Sequence, residues 1–217
     1  MATPIIGLEG VGRRFVKRLD LAGKIARTLG ASLRQEVVHA VDDVSLAIQP
    51  GEVVGLVGES GCGKSTLGRM VAGILPPSEG TIRFKGRDRP TLQGADAKAA
   101  ALAVQMIFQD PMSSLNPRKR VRDIIGEAPR VHGLVSAAEL DDFLDDIMIN
   151  VGLDPSYKRR YPHQFSGGQR ARIGIARALS VRPEFLVCDE SVAALDVSIQ
   201  AQVLNLFMEL RRRLDLT

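Results

Sequence analysis

The densest chemistry in the sequence lies in GESGCGKS at 58–65, which spells G-x-x-x-x-G-K-[ST]. Gly58, Gly61 and Gly63 lack a Cβ, so the backbone there can curl until successive N–H groups point inward at an anion. A helix starting just after the loop would add the positive end of its dipole. In that arrangement Lys64 reaches the β- and γ-phosphates of a nucleotide, and the Ser65 hydroxyl is offered to Mg²⁺. A glycine-rich turn with no ligand is the plain alternative. The apolar run VVGLV at 53–57 before the loop, expected as a buried strand, and helical character from Ser65 to Leu75 after it favour the phosphate site.

Two further stretches could complete such a site. FLVCDE at 185–190 is an apolar strand ending in adjacent acids, and acids at a strand's C-terminal edge meet ligands in the crevice of an open α/β sheet. Alone it reads as a solvated acidic pair. Beside a phosphate loop it assigns Asp189 to the magnesium shell and Glu190 to polarising the attacking water, the two roles that phosphoryl transfer to water requires. In FSGGQR at 165–170, Ser166 and the N–H groups of Gly167 and Gly168 would sit at the N-terminus of a helix over about 170–180, making a second anion-binding surface.

The three motifs in this order, with 102 positions from Lys64 to Ser166, resemble the ATP-binding-cassette (ABC) family, whose signature is usually written LSGGQ. A phosphate loop alone covers kinases, GTPases and helicases; the set singles out the cassette ATPases. The resemblance implies ATP and Mg²⁺ as cofactors. The whole run from Gly58 to Thr66, including Glu59, Ser60 and Cys62, would then line the nucleotide. Ser166, Gly167, Gly168 and Gln169 would close on the γ-phosphate held by another subunit. Gln109 matches the Q-loop glutamine that contacts Mg²⁺ or the attacking water and relays nucleotide state. Leu195-Asp196 matches the D-loop at the dimer interface. Phe15, in LEGVGRRF, aligns with the aromatic that stacks on adenine, the alternative being an ordinary core phenylalanine.

QMIFQDPMSSLNPR at 105–118, RYPHQFSGGQR at 160–170 and ALDVSIQAQVLNL at 194–206 resemble the oligopeptide/dipeptide importer branch. That resemblance implies an ATP-hydrolysing peripheral subunit on the cytoplasmic face of the inner membrane. It would pair with a second ATPase, identical or not, dock on two permeases and serve an extracytoplasmic peptide-binding protein indirectly. Three departures stand out. Ser191 replaces the usual Pro, and Ala193 replaces the common D-loop Ser. The family also carries a switch histidine on the strand after the 198–214 helix, and here no His follows His163, so the chain is expected to be cut short. His39 and His132 read as surface or core histidines. The rivals are a cassette ATPase of DNA repair or chromosome organisation, which would be expected to carry a coiled-coil or zinc-bearing insertion absent here, and an ATP-binding module without hydrolysis, favoured by the missing histidine.

Elements must hold these residues in place. The pattern predicts strands over 41–48, 53–57, 80–86, 104–108 and 185–188, helices over 65–75, 170–180 and from about Ser198, and a connector over 86–103. Residues 119–165 read as a helical insert. Val203, Leu206, Phe207, Leu210 and Leu214 form the apolar face of the last helix. The fold class is α/β, a P-loop NTPase core with a mainly parallel sheet, antiparallel N-terminal strands and a helical insert bearing the signature. The expected division is 1–118, 119–165 and 166–217, with a basic insertion at about 16–37.

Length and composition agree with this reading. At 217 residues, 45% hydrophobic and 25% charged, the chain can bury a sizeable core and is not a disordered one. No run of eighteen apolar residues and no secretory signal pattern is present, so it is expected neither to span a membrane nor to leave the cytoplasm by that route. Two cysteines, Cys62 and Cys188, fit a reducing compartment. The net charge of +4 comes wholly from residues 1–38, with seven Lys/Arg against three Asp/Glu, and a short basic amphipathic helix is expected within 13–34. With aromatics at 4% and no basic stripe on the main body, no nucleic-acid partner is expected.

Overall fold

A computed structural model describes residues 3–16, 37–110, 114–191 and 196–217. The basic helix expected within 13–34, apart from residues 13–16, lies outside the described residues, as do Ala193 and Leu195. The chain forms two compact units, Met1–Ile48 with Gly55–Thr91, and Gln49–Val54 with Leu92–Thr217.

In the first unit, β1 (Ile6–Val16) pairs antiparallel with β2 (Val37–Ile48), α1 (Lys64–Val71) follows, and β3 (Glu79–Phe84) and β4 (Arg87–Asp88) complete a sheet of order β2-β1-β3-β4. Alternation drives it: Ile6 and Leu8 point to the core with Phe84 and Ile82, their register partners on β3. The apolar side of α1, Leu67, Met70 and Val71, is buried. This helix stops four residues before the expected Leu75, because Gly73 takes a left-handed φ of 76° and its N–H bonds back to the Met70 carbonyl.

The second unit holds α2 (Gly94–Ala103), β5 (Val104–Ile107), α3 (Val121–Val131), α4 (Leu140–Asn150), α5 (Gly167–Leu179), β6 (Phe185–Cys188) and α6 (Val197–Leu214). Strands β5 and β6 pair in parallel. Ile125, Leu144, Met148, Ile173 and Ile175, all nearly inaccessible, form its core, each contributing roughly 1.5–3 kcal/mol of burial. On α6, Val203, Leu206 and Leu210 are buried and Phe207 partly so, while Leu214, beside the left-handed Asp215 that ends the helix, is exposed.

Two expectations change. The 86–103 stretch contains the ten-residue α2, since GADAKAAALA is rich in the best helix former and its glycine falls at the first position. The 53–57 run forms no strand: Val53 and Val57 are 63% and 93% exposed. An uninterrupted apolar run has no intrinsic alternation, and it becomes a strand only where a neighbour pairs with it and both faces are covered. This run changes unit between Val54 and Gly55 and pairs with neither sheet. Antiparallel pairing therefore outweighs parallel among the described strands, and the fold remains α/β.

Candidate functional site

The glycine loop of the first unit is held by backbone geometry that only glycine tolerates. Gly61 and Gly63 adopt φ of 83° and 95°, and a Cβ on Gly63 would lie 2.0 Å from the Ala40 carbonyl oxygen. A Cβ on Gly58 would meet the Cys62 Sγ at 2.7 Å. Gly63 is the N-cap of α1, which has no side-chain cap and no acidic residue in its first turn. Its first N–H groups are thus offered to an anion without competition from a capping side chain. Lys64 Nζ donates to the carbonyls of Gly58 at 2.9 Å and Glu59 at 2.6 Å, folding its charge over the loop. Glu59, Ser60 and Cys62 are exposed, and Ser65 and Thr66 half-buried.

Phe15 lies near the end of β1, opposite Val38, with its ring 41% exposed and the Arg13 guanidinium 4.9 Å from its centroid. It is not a core phenylalanine. Cation–π contact occupies part of its ring while leaving aromatic surface open.

In the second unit the register of the parallel pair sets the chemistry. Val104 faces Phe185 and Ile107 faces Cys188, a constant offset that continues past the strand ends, where the Asp189 N–H bonds the Ile107 carbonyl at 3.0 Å. Two residues beyond Ile107 and two beyond Cys188 stand Gln109 and Glu190, and the Gln109 Nε2 donates to the Glu190 Oε2 at 2.7 Å. Glu190 is exposed with a left-handed φ of 43°, a conformation that costs a non-glycine residue about 1 kcal/mol or more. Asp189 and Ser191 on either side are buried. Glu190 is expected from its place at an acidic strand end and Gln109 from the resemblance, and neither signal announces the strained backbone that aims Glu190.

At 165–170, the Ser166 hydroxyl accepts from the Gln169 N–H at 3.3 Å while the Gln169 Oε1 accepts from the Ser166 N–H at 3.1 Å, a reciprocal cap on α5. The helix starts at Gly167, earlier than the expected 170, because this cap draws the glycines into the first turn. Ser166 and Gly167 are exposed; Gly168 is buried, and a Cβ there would meet Ile199 Cγ2 at 2.7 Å. Arginines along α5 tie it to its surroundings through backbone carbonyls: Arg170 to Pro162, Arg172 to Val151 and Arg177 to Ser114, the last at 2.5 Å. Burial pulls the Arg177 guanidinium below its ordinary pKa. Sequence reasoning missed Arg177, since a carbonyl partner leaves no charge pattern to find.

Among the described residues no group of three or more His, Cys, Asp or Glu side chains could hold a metal on its own. The uncapped glycine loop suits the phosphates themselves.

Comparison with known proteins follows the same lines. A family model described as ABC transporter matches residues 41–193. The oligopeptide transport ATP-binding protein AppF of Bacillus subtilis is 51% identical over 181 residues, which are 83% of this chain and 55% of that protein. OppF of Haemophilus influenzae is 47% identical over 185 residues, 85% of this chain and 56% of that one. The chain thus spans about half the length of the curated relatives it matches. Among solved structures, cbiO1 of Clostridium perfringens, part of the ABC transporter complex cbiONQ, has a TM-score of 0.75 at 26% identity, covering 99% of this chain and 76% of that one. A dimeric ATP-binding cassette bound to ADP and Pi has a TM-score of 0.76 at 24% identity, covering 96% and 83%, a likeness of fold. With the matched model running from within β2 through both the phosphate loop and the acidic strand end, the chain belongs to the ABC transporter family.

Proposed function

We propose that this chain binds and hydrolyses ATP as the energising subunit of a peptide importer. The observation that carries the reading is the Lys64 ammonium, held over the glycine loop by the Gly58 and Glu59 carbonyls at the uncapped start of α1. A cation so placed exchanges weak carbonyl partners for phosphate oxygens with little rearrangement. Relatives named as oligopeptide transport ATP-binding proteins support the peptide cargo.

When bound, MgATP supplies the γ-phosphoryl group and a cation that neutralises its charge. In the first unit, the loop from Gly58 to Thr66 would bind the phosphates through backbone N–H groups and Lys64, Phe15 would stack on the adenine, and Ser65 would offer its hydroxyl to the cation. In the second unit, Gln109 and Asp189 would offer oxygens to the cation, and Glu190 would accept a proton from the attacking water. Ser166, Gly167, Gly168 and Gln169 bind the γ-phosphate presented by a second ATPase subunit. At the cytoplasmic face of the membrane the chain docks on two permeases, which an extracytoplasmic peptide-binding protein supplies from the other side. Among the described residues no helix is long and apolar enough to cross a membrane. Residues 119–165 serve as the helical subdomain, inside the second compact unit.

The test measures MgATP-dependent phosphate release with and without DNA, and peptide uptake into vesicles carrying the permeases. Phosphate release coupled to uptake supports the reading. Stimulation by DNA without uptake, or ATP binding with no release, replaces it with a repair-type ATPase or a binding module respectively.

A further inference from the structure

The last carbonyls of a helix have no partner within it. At the end of α1 the chain that follows serves the first three of them: the Ala72 N–H donates to Gly68 at 2.8 Å, the Ile74 N–H to Arg69 at 2.9 Å and the Gly73 N–H to Met70 at 3.0 Å. That leaves the carbonyls of Val71 and Ala72. The Arg89 guanidinium takes both, Nη1 donating to the Val71 oxygen and Nη2 to the Ala72 oxygen, the second at 2.9 Å. Gly73 makes room for it, because in its left-handed backbone at φ 76° a Cβ would lie 2.6 Å from the Arg89 Cζ. Arg89 is itself anchored to the sheet. It opens a short 3-10 turn, Arg89–Thr91, directly after β4, whose Asp88 is the register partner of Arg83 on β3, and the Thr91 hydroxyl donates to the Asp88 carbonyl at 2.8 Å.

The guanidinium is half-buried, and burial pulls its pKa below the ordinary value while the group stays charged. Desolvating a cation against carbonyls alone is costly, and the negative end of the helix dipole offsets part of that cost. The other end of α1 is the uncapped Gly63–Lys64 start. Eight residues span only about 12 Å, so the helix has little more than two turns, and loosening the last turn disturbs the first.

We propose that Arg89 is a positioning residue for phosphate binding: it clamps the carboxyl end of α1 to the sheet of the first unit and thereby fixes the N–H groups and Lys64 at the amino end. The proposal rests on the reading of 58–66 as the phosphate site, and it adds to that site a residue that never touches the nucleotide.

The experiment is calorimetric titration of the 217-residue chain with MgATP and with magnesium tripolyphosphate, well below the Tm of every variant. Tripolyphosphate has no base, so it reads the loop without Phe15. Arg89→Met keeps an apolar stem and removes the donors; Arg89→Lys keeps the charge, but one ammonium serves two carbonyls poorly. Ile82→Val trims the core on β3 and loosens the same unit while leaving the Arg89 bonds in place. Both probes are expected to bind about tenfold more weakly to Arg89→Met and about threefold more weakly to Arg89→Lys. Ile82→Val is expected to lower the Tm and hold both affinities within about twofold. A lowered Tm with unchanged affinities in Arg89→Met overturns the proposal. An equal loss of affinity in Ile82→Val overturns it too, since that marks general loosening of the unit. If Arg89→Met fails to fold, Arg89→Lys decides by the same comparison, and wild-type affinity for both probes overturns the proposal. Wild-type chain that binds neither probe sinks the phosphate reading of the loop and this proposal with it, whereas equal binding by wild type and Arg89→Met sinks the proposal alone.

Discussion

Lys64 Nζ donates to the Glu59 carbonyl at 2.6 Å, so the charge of the glycine loop is satisfied by the loop's own backbone. A buried or partly buried ammonium needs such partners, and a phosphate oxygen replaces a carbonyl at a gain because the new bond is assisted by charge on both sides.

It follows that Lys64→Ala and Glu190→Gln fail in different ways. Lys64→Ala loses charge neutralisation and is expected to weaken MgATP binding by about 100-fold. Glu190→Gln keeps affinity within about threefold and lowers turnover by about 10²–10⁴-fold, the usual worth of a positioned proton acceptor. Equilibrium binding of a fluorescent ATP analogue alongside single-turnover phosphate release separates the two; equal losses of affinity would sink the roles assigned here.

Cys62 is exposed within the same loop. Its alkylation is expected to slow about tenfold under saturating MgATP, because the phosphates and the closed loop exclude the reagent. Thiol labelling followed by peptide mapping checks this, and an unaltered rate removes Cys62 from the nucleotide's surroundings.

Gly63→Ala should be severe and Gly55→Ala mild. At Gly63 the new methyl meets a carbonyl oxygen at 2.0 Å in a left-handed backbone, whereas at Gly55 it meets nothing within 4 Å. Thermal unfolding is expected to show a loss of over about 2 kcal/mol, on the order of 5 °C in Tm, for the first and under about 0.5 kcal/mol for the second. Similar shifts for both would contradict the loop geometry.

Ser166 performs a structural task and, in the functional reading, a phosphate-binding one, which two substitutions pull apart. Ser166→Ala forfeits the reciprocal cap with Gln169 and is expected to cost about 1 kcal/mol of stability. Ser166→Asp caps the helix as well as serine does, so stability holds, while its negative charge repels a γ-phosphate and abolishes ATP-driven dimerisation. Denaturant titration together with size-exclusion chromatography in MgATP tests the pair. Normal dimerisation of Ser166→Asp means that Ser166 does not meet phosphate.

The legible parts of this chain were those written in local chemistry. Glycine spacing marks the loop and adjacent acids mark Asp189 and Glu190, whereas the reciprocal cap of Ser166 and Gln169 on α5 went unread, although serine three residues before glutamine is its signature. Gln109 came from resemblance, since one glutamine after a short strand has no signature of its own. What failed depended on distant partners. The 53–57 run has a strand's composition, yet pairing is a property of neighbours, and none is supplied to it. Residues 86–103 misled in the opposite sense, because alanine looks featureless on a hydropathy scan while being the strongest helix former. Arg177 and Arg172 hide in the same way, their partners being carbonyls that every residue carries.

The fixed offset between β5 and β6 works like a vernier, in which the spacing of two scales decides which marks coincide. Gln109 meets Glu190 because each stands two residues beyond a matched pair, not because the two attract one another strongly. Removing one residue from 104–108 would bring Asp110 to the position opposite Glu190, setting two carboxylates face to face; adding one would bring Phe108, which has nothing to donate. Evolution can therefore vary the apolar letters of these strands freely while their lengths stay locked. In a family alignment, gaps should be rarer across 104–109 and 185–190 than changes of residue.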